Sequence, residues 1–173
     1  MTSAADPGFT LHDATSSADI ETVRRLFLEY EKWLGISLCF QNFAQEVASL
    51  PDEYGPPGGR LVLARWEGTT AGCIALRRLD DAACEMKRLY LRGEYRGRGF
   101  GFRLAAECIA TARRLGYTRM RLDTLPVMQD AIALYRALGF RDIAPYRDNP
   151  VPGTLYLELD LTAVAPRDHL RRL

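Results

Sequence analysis

Six residues in the middle of the chain, Arg-Gly-Arg-Gly-Phe-Gly at 96–101, have the composition of a phosphate-binding turn. Glycine lacks a Cβ atom, so three glycines here let the backbone bend sharply and approach a ligand closely. The pattern that follows predicts a helix, and the first N–H groups and positive dipole end of a helix bind anions. Arg96 and Arg98 add positive charge. The segment therefore indicates a cradle for phosphate or diphosphate groups.

Three phosphate-binding patterns can be tested against this turn. The dinucleotide pattern G-x-G-x-x-G fits Gly97 and Gly99 but requires a glycine where Phe102 stands. The nucleotide P-loop requires Gly-Lys followed by Ser or Thr, which the chain lacks. The third pattern, Arg or Gln followed by x-x-Gly-x-Gly or Ala, is matched by Arg96, Gly99 and Gly101. A glycine-rich turn with solvated arginines is the alternative interpretation.

The elements that position this turn follow from hydrophobic periodicity and from residues that break regular structure. Three strand patterns separated by tight turns predict an antiparallel meander, and its third strand leads into the turn. The element order predicts one mixed sheet with helices on both faces. The predicted strands lie at 10–14, 61–68, 71–79, 83–91, 117–125 and 154–161, and the helices lie within 16–35, 36–50, 102–116 and 128–140.

The chain resembles the GNAT N-acetyltransferase family in two motifs. The strand and turn CEMKRLYLRGEYRGRGFG, 84–101, resemble the fourth strand and the acetyl-coenzyme A diphosphate motif of that family. The later helix AIALYRALGF, 131–140, resembles a second signature in which an alanine, a Leu-Tyr pair and Gly-Phe recur at this spacing. The resemblance extends from about residue 10 to 161. It implies the α/β (α+β) GNAT fold, with a central, mixed, mostly antiparallel sheet flanked by helices on both faces.

The resemblance also implies an activity and a donor site. The chain would transfer an acetyl group from acetyl-CoA to the primary amine of a small-molecule or amino-acid-like acceptor, directly and in a ternary complex. In the family, loop amides hold the diphosphate and the fourth strand pairs with the pantetheine arm. Met128 departs from the pattern, because many members have a cofactor-contacting asparagine seven residues before the helix tyrosine. The cofactor-binding residues implied are Leu89, Tyr90, Leu91, Arg96, Gly97, Arg98, Gly99, Phe100 and Gly101.

Two side chains are candidate catalytic groups. Glu85 occupies the place of a strand-four glutamate that acts as general base in some members, usually through water. A carboxylate buried in a central strand becomes a stronger base, although Glu85 could instead pair with Lys87 or Arg77 at the sheet surface. Tyr135 occupies the place of a helix tyrosine that protonates the departing thiolate in many members. Its alternative role is packing in the core with a satisfied hydroxyl group.

The acceptor site is expected from segments 36–46 and 146–153, which correspond to the helix and loop regions that form it in the family. Aromatic residues there could wall a pocket and amides could orient an amine, although the aromatics could simply pack the helix onto the sheet. The substrate-binding residues implied are Phe40, Gln41, Asn42, Tyr146 and Asn149.

Composition narrows the class of protein. The chain has 173 residues, 47% of them hydrophobic and 26% charged, which is typical of one globular domain. A net charge of +1 does not fit a general nucleic-acid binder. Four scattered cysteines and two distant histidines lack the spacing of a metal site, so no metal is expected. The sequence shows no signal-peptide pattern and no membrane span, so a cytoplasmic location is expected.

We expect one domain at 10–161, between a lead-in at 1–9 and a tail at 162–173. A homodimer is common in the family, and the terminal strand TLYLELDL could pair across its interface. Two other functions remain open at this point. The domain could bind acyl-CoA without catalysis, or the basic residues between Lys87 and Arg103 could contact RNA, with Tyr90 and Tyr95 as a stacking platform.

Overall fold

The computed structural model describes residues 7–163, and every element of the predicted order is present in it. The strands are β1 Phe9–Asp13, β2 Arg60–Trp66, β3 Thr69–Arg78, β4 Ala83–Leu91, β5 Arg119–Thr124, β6 Arg141–Asp142 and β7 Leu155–Asp160. The α-helices are α1 Ser17–Leu34, α2 Phe43–Ser49, α3 Phe100–Arg114 and α4 Gln129–Ala137. Three short 3₁₀ turns lie at Cys39–Gln41, Asp52–Tyr54 and Gly93–Tyr95.

The seven strands form one mixed sheet in the order β1-β2-β3-β4-β5-β7-β6. Among these described strands only the pair β4–β5 is parallel, and all other neighbours are antiparallel. The predicted fold class and the predicted meander of β2, β3 and β4 are therefore confirmed. The two-residue strand β6 was not predicted, because two residues are too few to show an alternating pattern.

Helices cover both faces of the sheet. On one face, α1 and α2 bury an apolar stripe that includes Val23, Phe27 and Phe43. On the other face, α3 and α4 bury a second stripe that includes Leu104 and Tyr135. Each stripe recurs at the three-to-four-residue spacing that places side chains on one side of a helix. The sheet is therefore the middle layer of a three-layer domain.

Helix α1 has defined ends. The Ser16 side chain accepts the Asp19 N–H and the Asp19 carboxylate accepts the Ser16 N–H, forming a capping box. Gly35 ends the helix in the left-handed conformation, with φ of 68°. These caps confirm the predicted limits of the first helix. They also fix the position of the last turn of α1 over the centre of the sheet.

The centre of the sheet is split. β4 and β5 pair only from Ala83–Arg119 to Glu85–Arg121, and each strand then continues without the other. Past this point β4 contains a bulge, because two of its residues oppose one residue of β3, and Arg88 there has φ of 57°. The buried Arg88 guanidinium donates to both carboxylate oxygens of Glu46 on α2, at 3.1 and 2.6 Å. This ion pair stabilises the bulge, and the bulge keeps β4 and β5 apart.

The structure bears on two expectations about the terminal parts of the domain. β7 lies between β5 and β6, but β6 pairs with it only at Leu157 and Glu158, and the cross-dimer pairing considered for this strand stays a prediction. Most of the expected lead-in and tail lies outside the described residues. None of the helices within 7–163 combines the length and apolar character needed to cross a bilayer.

Candidate active site

The glycine-rich turn lies at the start of α3, where the sequence predicts a phosphate cradle. Gly97 and Gly99 have φ of 73° and 76°, a region that only glycine adopts without strain. α3 begins at Phe100 and has no side-chain cap. Within the described residues, the N–H groups of 97–102 donate to no protein acceptor. The turn therefore offers a run of free N–H donors at the positive end of a 15-residue helix.

The two arginines of the turn stack on aromatic rings. The Arg96 guanidinium lies 4.2 Å from the centre of the Trp33 ring on α1, and its Nε donates to the Leu91 carbonyl oxygen at 2.9 Å. The Arg98 guanidinium lies 5.5 Å from the centre of the Trp66 ring. Positive charge is thereby held on both sides of the free N–H groups, although both side chains remain exposed.

β4 presents an unpaired backbone edge beside the cradle. A Cβ atom on Gly72 of β3 would lie 2.1 Å from the Tyr90 carbonyl oxygen, so this carbonyl points towards β3. Backbone groups alternate in direction along a strand, so those of Leu89 and Leu91 point to the opposite side, where β5 has diverged. The Tyr90 ring instead lies on the α1 face, 5.9 Å from that of Tyr30.

A groove of about 340 Å³ connects the cradle with this open edge. Its walls come from α1, β4, the turn, the start of α3, the segment before α4 and α4 itself. The groove includes all the predicted cofactor-binding residues except Arg98, whose side chain turns towards Trp66. The lining residues are Trp33, Leu89, Tyr90, Leu91, Arg96, Gly97, Gly99, Phe100, Gly101, Val127, Met128, Gln129, Asp130, Ala131 and Leu134.

A small cavity of about 50 Å³ lies at the point where β4 and β5 separate. It has room for only a few water-sized groups. Leu89 and Met128 line both the groove and this cavity, so the two spaces meet at these residues. Other cavity residues come from α1, the 3₁₀ turn Cys39–Gln41, β4, β5, α4 and the 146–153 loop.

Tyr135 lies at the cavity from the α4 side. It is 7% exposed, and its ring packs edge-to-face on Phe140 at 5.8 Å. Burial raises the pKa of the Tyr135 phenol above its ordinary value, so the hydroxyl keeps its proton at neutral pH. Tyr135 thus packs in the core and also lines the cavity, and its role as the general acid stays a prediction.

Glu85 is fully buried and enclosed by cations. Its carboxylate lies 3.1 Å from Arg77 Nη2 and 3.3 Å from Lys87 Nζ, and it also accepts from Arg147. The pairing with Arg77 and Lys87 was the alternative interpretation of this residue, but it occurs in the interior and not at the surface. Glu85 does not line the cavity, whereas Lys87 does. Its role as general base stays a prediction.

Lys87 is a functional candidate that sequence reasoning missed. Its side chain is buried and lines the cavity, with Nζ 3.4 Å from Gln41 Oε1. Burial, together with the nearby charges of Arg88 and Arg77, lowers the pKa of Lys87 to about 7. A lysine beside a glutamate two positions earlier in a strand was the available signal, since alternate strand residues share a face.

The predicted acceptor residues divide into two groups. Phe40, Gln41 and Asn149 line the cavity, and their role in acceptor binding stays a prediction. Asn42 lies outside its lining, in a separate surface pocket, and Tyr146 packs on Tyr156 at 5.6 Å. Asp123 of β5 also lines the cavity and was not identified from the sequence.

The basic run between 87 and 103 does not form a continuous surface stripe. Lys87 and Arg88 are buried, and Arg92 donates to both carboxylate oxygens of Glu29, at 2.9 and 2.8 Å. Arg96 and Arg98 stack on tryptophans beside the cradle. This arrangement fits a phosphate site at the groove better than an RNA-binding face.

The residues present fit a coenzyme A thioester. The free N–H groups suit a diphosphate, the groove continues from them along β4, and the open edge of β4 can pair with an amide-containing chain. The fit rests on the free N–H groups of the turn and on the part of β4 that no strand covers on its β5 side, which line one groove.

Comparison with known proteins agrees with this geometry. The model of the acetyltransferase (GNAT) family matches residues 20–140. An uncharacterized N-acetyltransferase of Schizosaccharomyces pombe is 40% identical over 146 residues, covering 83% of this chain and 90% of its own. The IAA acetyltransferase of Azospirillum brasilense is 34% identical over 144 residues, covering 82% of this chain and 92% of its own.

A similar fold occurs among solved structures. A GNAT family acetyltransferase from Elizabethkingia anophelis, solved with acetyl-CoA bound, has a TM-score of 0.65 and 20% identity, covering 88% of this chain and 98% of its own. With a family model that matches most of the domain and a relative at 40% identity, the chain belongs to the acetyltransferase (GNAT) family and is an acyltransferase.

Proposed function

We propose that the protein acetylates the primary amine of a small-molecule or amino-acid-like acceptor, by direct transfer while donor and acceptor are bound together. The observation that carries this proposal is the junction of the groove and the cavity at Leu89 and Met128. A donor held in the groove and an amine held in the cavity would meet there. Acetyl-CoA supplies the acetyl group as a thioester when it is bound.

Donor binding would use the backbone more than side chains. The N–H groups of residues 97–102 hold the diphosphate, and the edge of β4 at Leu89 and Leu91 pairs with the pantetheine arm. The free Leu89 N–H can also donate to the thioester carbonyl oxygen, where it stabilises the negative charge that develops during attack.

The cysteines support direct transfer over a covalent acyl-enzyme. None of the four cysteines, all within the described residues, lines the groove or the cavity. Burial raises the pKa of Cys73, Cys84 and Cys108, so these thiols stay protonated and are poor nucleophiles. The acceptor amine is then the group that attacks.

Proton removal from the acceptor would involve Lys87 and Glu85 together. The amine attacks only after it loses a proton from its ammonium form. Among the described contacts of Glu85, only Lys87 lines the cavity. Neutral Lys87 can take the proton at Nζ, and Glu85 stabilises the resulting ammonium at 3.3 Å. Glu85 would thus contribute to base catalysis indirectly, by stabilising the protonated form of Lys87.

The departing thiolate would be protonated by Tyr135. Its hydroxyl keeps its proton at neutral pH, and Tyr135 lines the cavity where the donor and acceptor would meet. A proton delivered there neutralises the leaving group as the bond to the acetyl carbon breaks.

The experiment that tests this function measures thiol release from acetyl-CoA with a panel of primary amines, with the acetylated product identified by mass. Initial rates with both substrates varied should give intersecting double-reciprocal lines, as a ternary complex requires. Parallel lines would indicate an acyl-enzyme, and thiol release that is independent of the amine would indicate hydrolysis. Either result would overturn the proposal.

A further inference from the structure

We propose that the carboxylate of Asp123 binds the ammonium group of the acceptor in the cavity, with Asn149 as the residue that positions it. The inference rests on the proposed function, because it names a group that recognises the amine. It assigns to the cavity a ligand class, a cationic primary amine.

Asp123 is placed by β5 where that strand has left β4. The cavity lining within residues 7–163 contains no other carboxylate. Alternate residues of β5 share a face, and Asp123 therefore lies on the side of the sheet that also carries Lys87 and Gln41.

One oxygen of this carboxylate is held and the other is free. Asp123 Oδ2 accepts from Asn149 Nδ2 at 3.2 Å. Asn149 Oδ1 accepts the Val151 N–H at 3.0 Å, which fixes the amide so that its NH₂ faces Asp123. Among the described residues no donor reaches Asp123 Oδ1. That oxygen is also not fully enclosed by protein.

Among the described residues no cation contacts Asp123 directly, unlike its neighbours, although its charge acts on Lys87 across the cavity. Glu85 is paired with three cations, Glu46 with Arg88 and Glu158 with Arg121. In the described part of the chain, no lysine, arginine or histidine nitrogen lies within 4.0 Å of Asp123. A half-buried carboxylate without a cation is unfavourable unless a ligand supplies one, and an ammonium group does so with charge-assisted hydrogen bonds.

The size of the cavity agrees with this ligand. About 50 Å³ admits an ammonium group and little of the carbon chain behind it. The head of a primary amine would thus lie between Asp123 and the junction with the groove, and the rest of the acceptor would lie outside.

The test compares Asp123→Asn with Asp148→Asn. The first variant keeps the shape and removes the charge at the cavity. The second removes the same charge from an exposed position of the same loop that contains Asn149, outside the cavity lining. Calorimetry measures binding of n-butylamine, tyramine and putrescine to protein saturated with coenzyme A, which cannot transfer an acetyl group.

Wild type and Asp148→Asn should bind at least one of these amines with similar affinity, and Asp123→Asn should bind it at least tenfold more weakly. Affinity for acetyl-CoA should stay within twofold in all three proteins. Equal amine affinity in Asp123→Asn, or no amine binding by wild type, would overturn the role of Asp123.

Turnover distinguishes this inference from the proposed function. If wild type binds the amines through Asp123 but releases no thiol with any of them, the inference stands and amine acetylation fails. If thiol is released and Asp123→Asn has an unchanged KM for the amine, the function stands and Asp123 is a solvated surface carboxylate. Asn149→Leu should raise the KM for the amine with little change in kcat, because it frees the carboxylate without removing it.

Discussion

Gly72 of β3 lies so close to Tyr90 of β4 that a Cβ atom on Gly72 would lie 2.1 Å from the Tyr90 carbonyl oxygen. The same added atom would lie 3.0 Å from the Leu91 Cα. The open edge of β4 therefore depends on the absence of a side chain on the neighbouring strand.

Gly72→Ala should force β4 away from β3 next to the bulge. Two backbone contacts this short cannot be relieved by a side-chain rotation, so we expect a loss of about 1–3 kcal/mol in the free energy of unfolding. Affinity for acetyl-CoA should fall as well, since Leu89 and Leu91 move. Urea unfolding and calorimetry measure the two effects. A Gly72→Ala variant as stable as the wild type would contradict this prediction, because it would mean that β3 and β4 can move apart without cost.

Gly99→Ala should weaken donor binding while the domain stays folded. A side chain at φ of 76° costs about 1–2 kcal/mol, and the turn can relieve this strain only by rotating N–H groups out of the cradle. Gly93→Ala is the matched control, because Gly93 lies in the same connection, has no positive φ and has open space at its Cβ position. Equal acetyl-CoA affinity in both variants would contradict the cradle.

Tyr135→Phe should lower kcat by about 100-fold, the usual contribution of a positioned general acid. Its affinity for acetyl-CoA should change little, because the ring still packs on Phe140. Tyr117→Phe serves as the control, since the Tyr117 hydroxyl donates to Gly58 at 2.6 Å away from the cavity. An unchanged kcat in Tyr135→Phe would assign thiolate protonation to water or to another group.

The rate should depend on pH through Lys87. With a pKa of about 7, Lys87 is an ammonium below that pH, where it repels the acceptor ammonium and cannot accept a proton. Above that pH it is neutral and can act as base. We therefore expect kcat/KM to rise with pH and to break near pH 7, separately from the ionisation of the acceptor. A Lys87→Met enzyme should lose this break, and a break that persists would exclude Lys87.

Glu85→Gln should affect both stability and pH dependence. Without the carboxylate, Arg77, Lys87 and Arg147 are left without their shared buried anion, which should cost about 3–5 kcal/mol. The loss of a neighbouring negative charge also disfavours the ammonium form of Lys87, so the acid limb of the profile should move to lower pH. An acid limb that does not move would exclude Glu85 from base catalysis.

The elements and the geometry of the glycine-rich turn were predictable because their signals are local. The caps at Ser16 and Gly35, the alternation in the meander and the glycines of the turn each lie within a few consecutive residues. The acceptor side was less predictable. Asp123 and Asn149 come together across 26 positions of sequence, and the cavity exists only because a bulge at Arg88 separates two strands. No local pattern encodes such contacts, since they depend on how distant segments pack.

Arg96 and Arg98 place the glycine-rich turn beside the tryptophan fluorophores of the protein. The chain contains two tryptophans, and each lies under one arginine of the glycine-rich turn, Trp33 under Arg96 and Trp66 under Arg98. All of the indole fluorescence of the protein therefore originates beside this turn. A ligand that displaces either guanidinium would change the emission spectrum, so occupancy of the turn can be followed optically without any attached label.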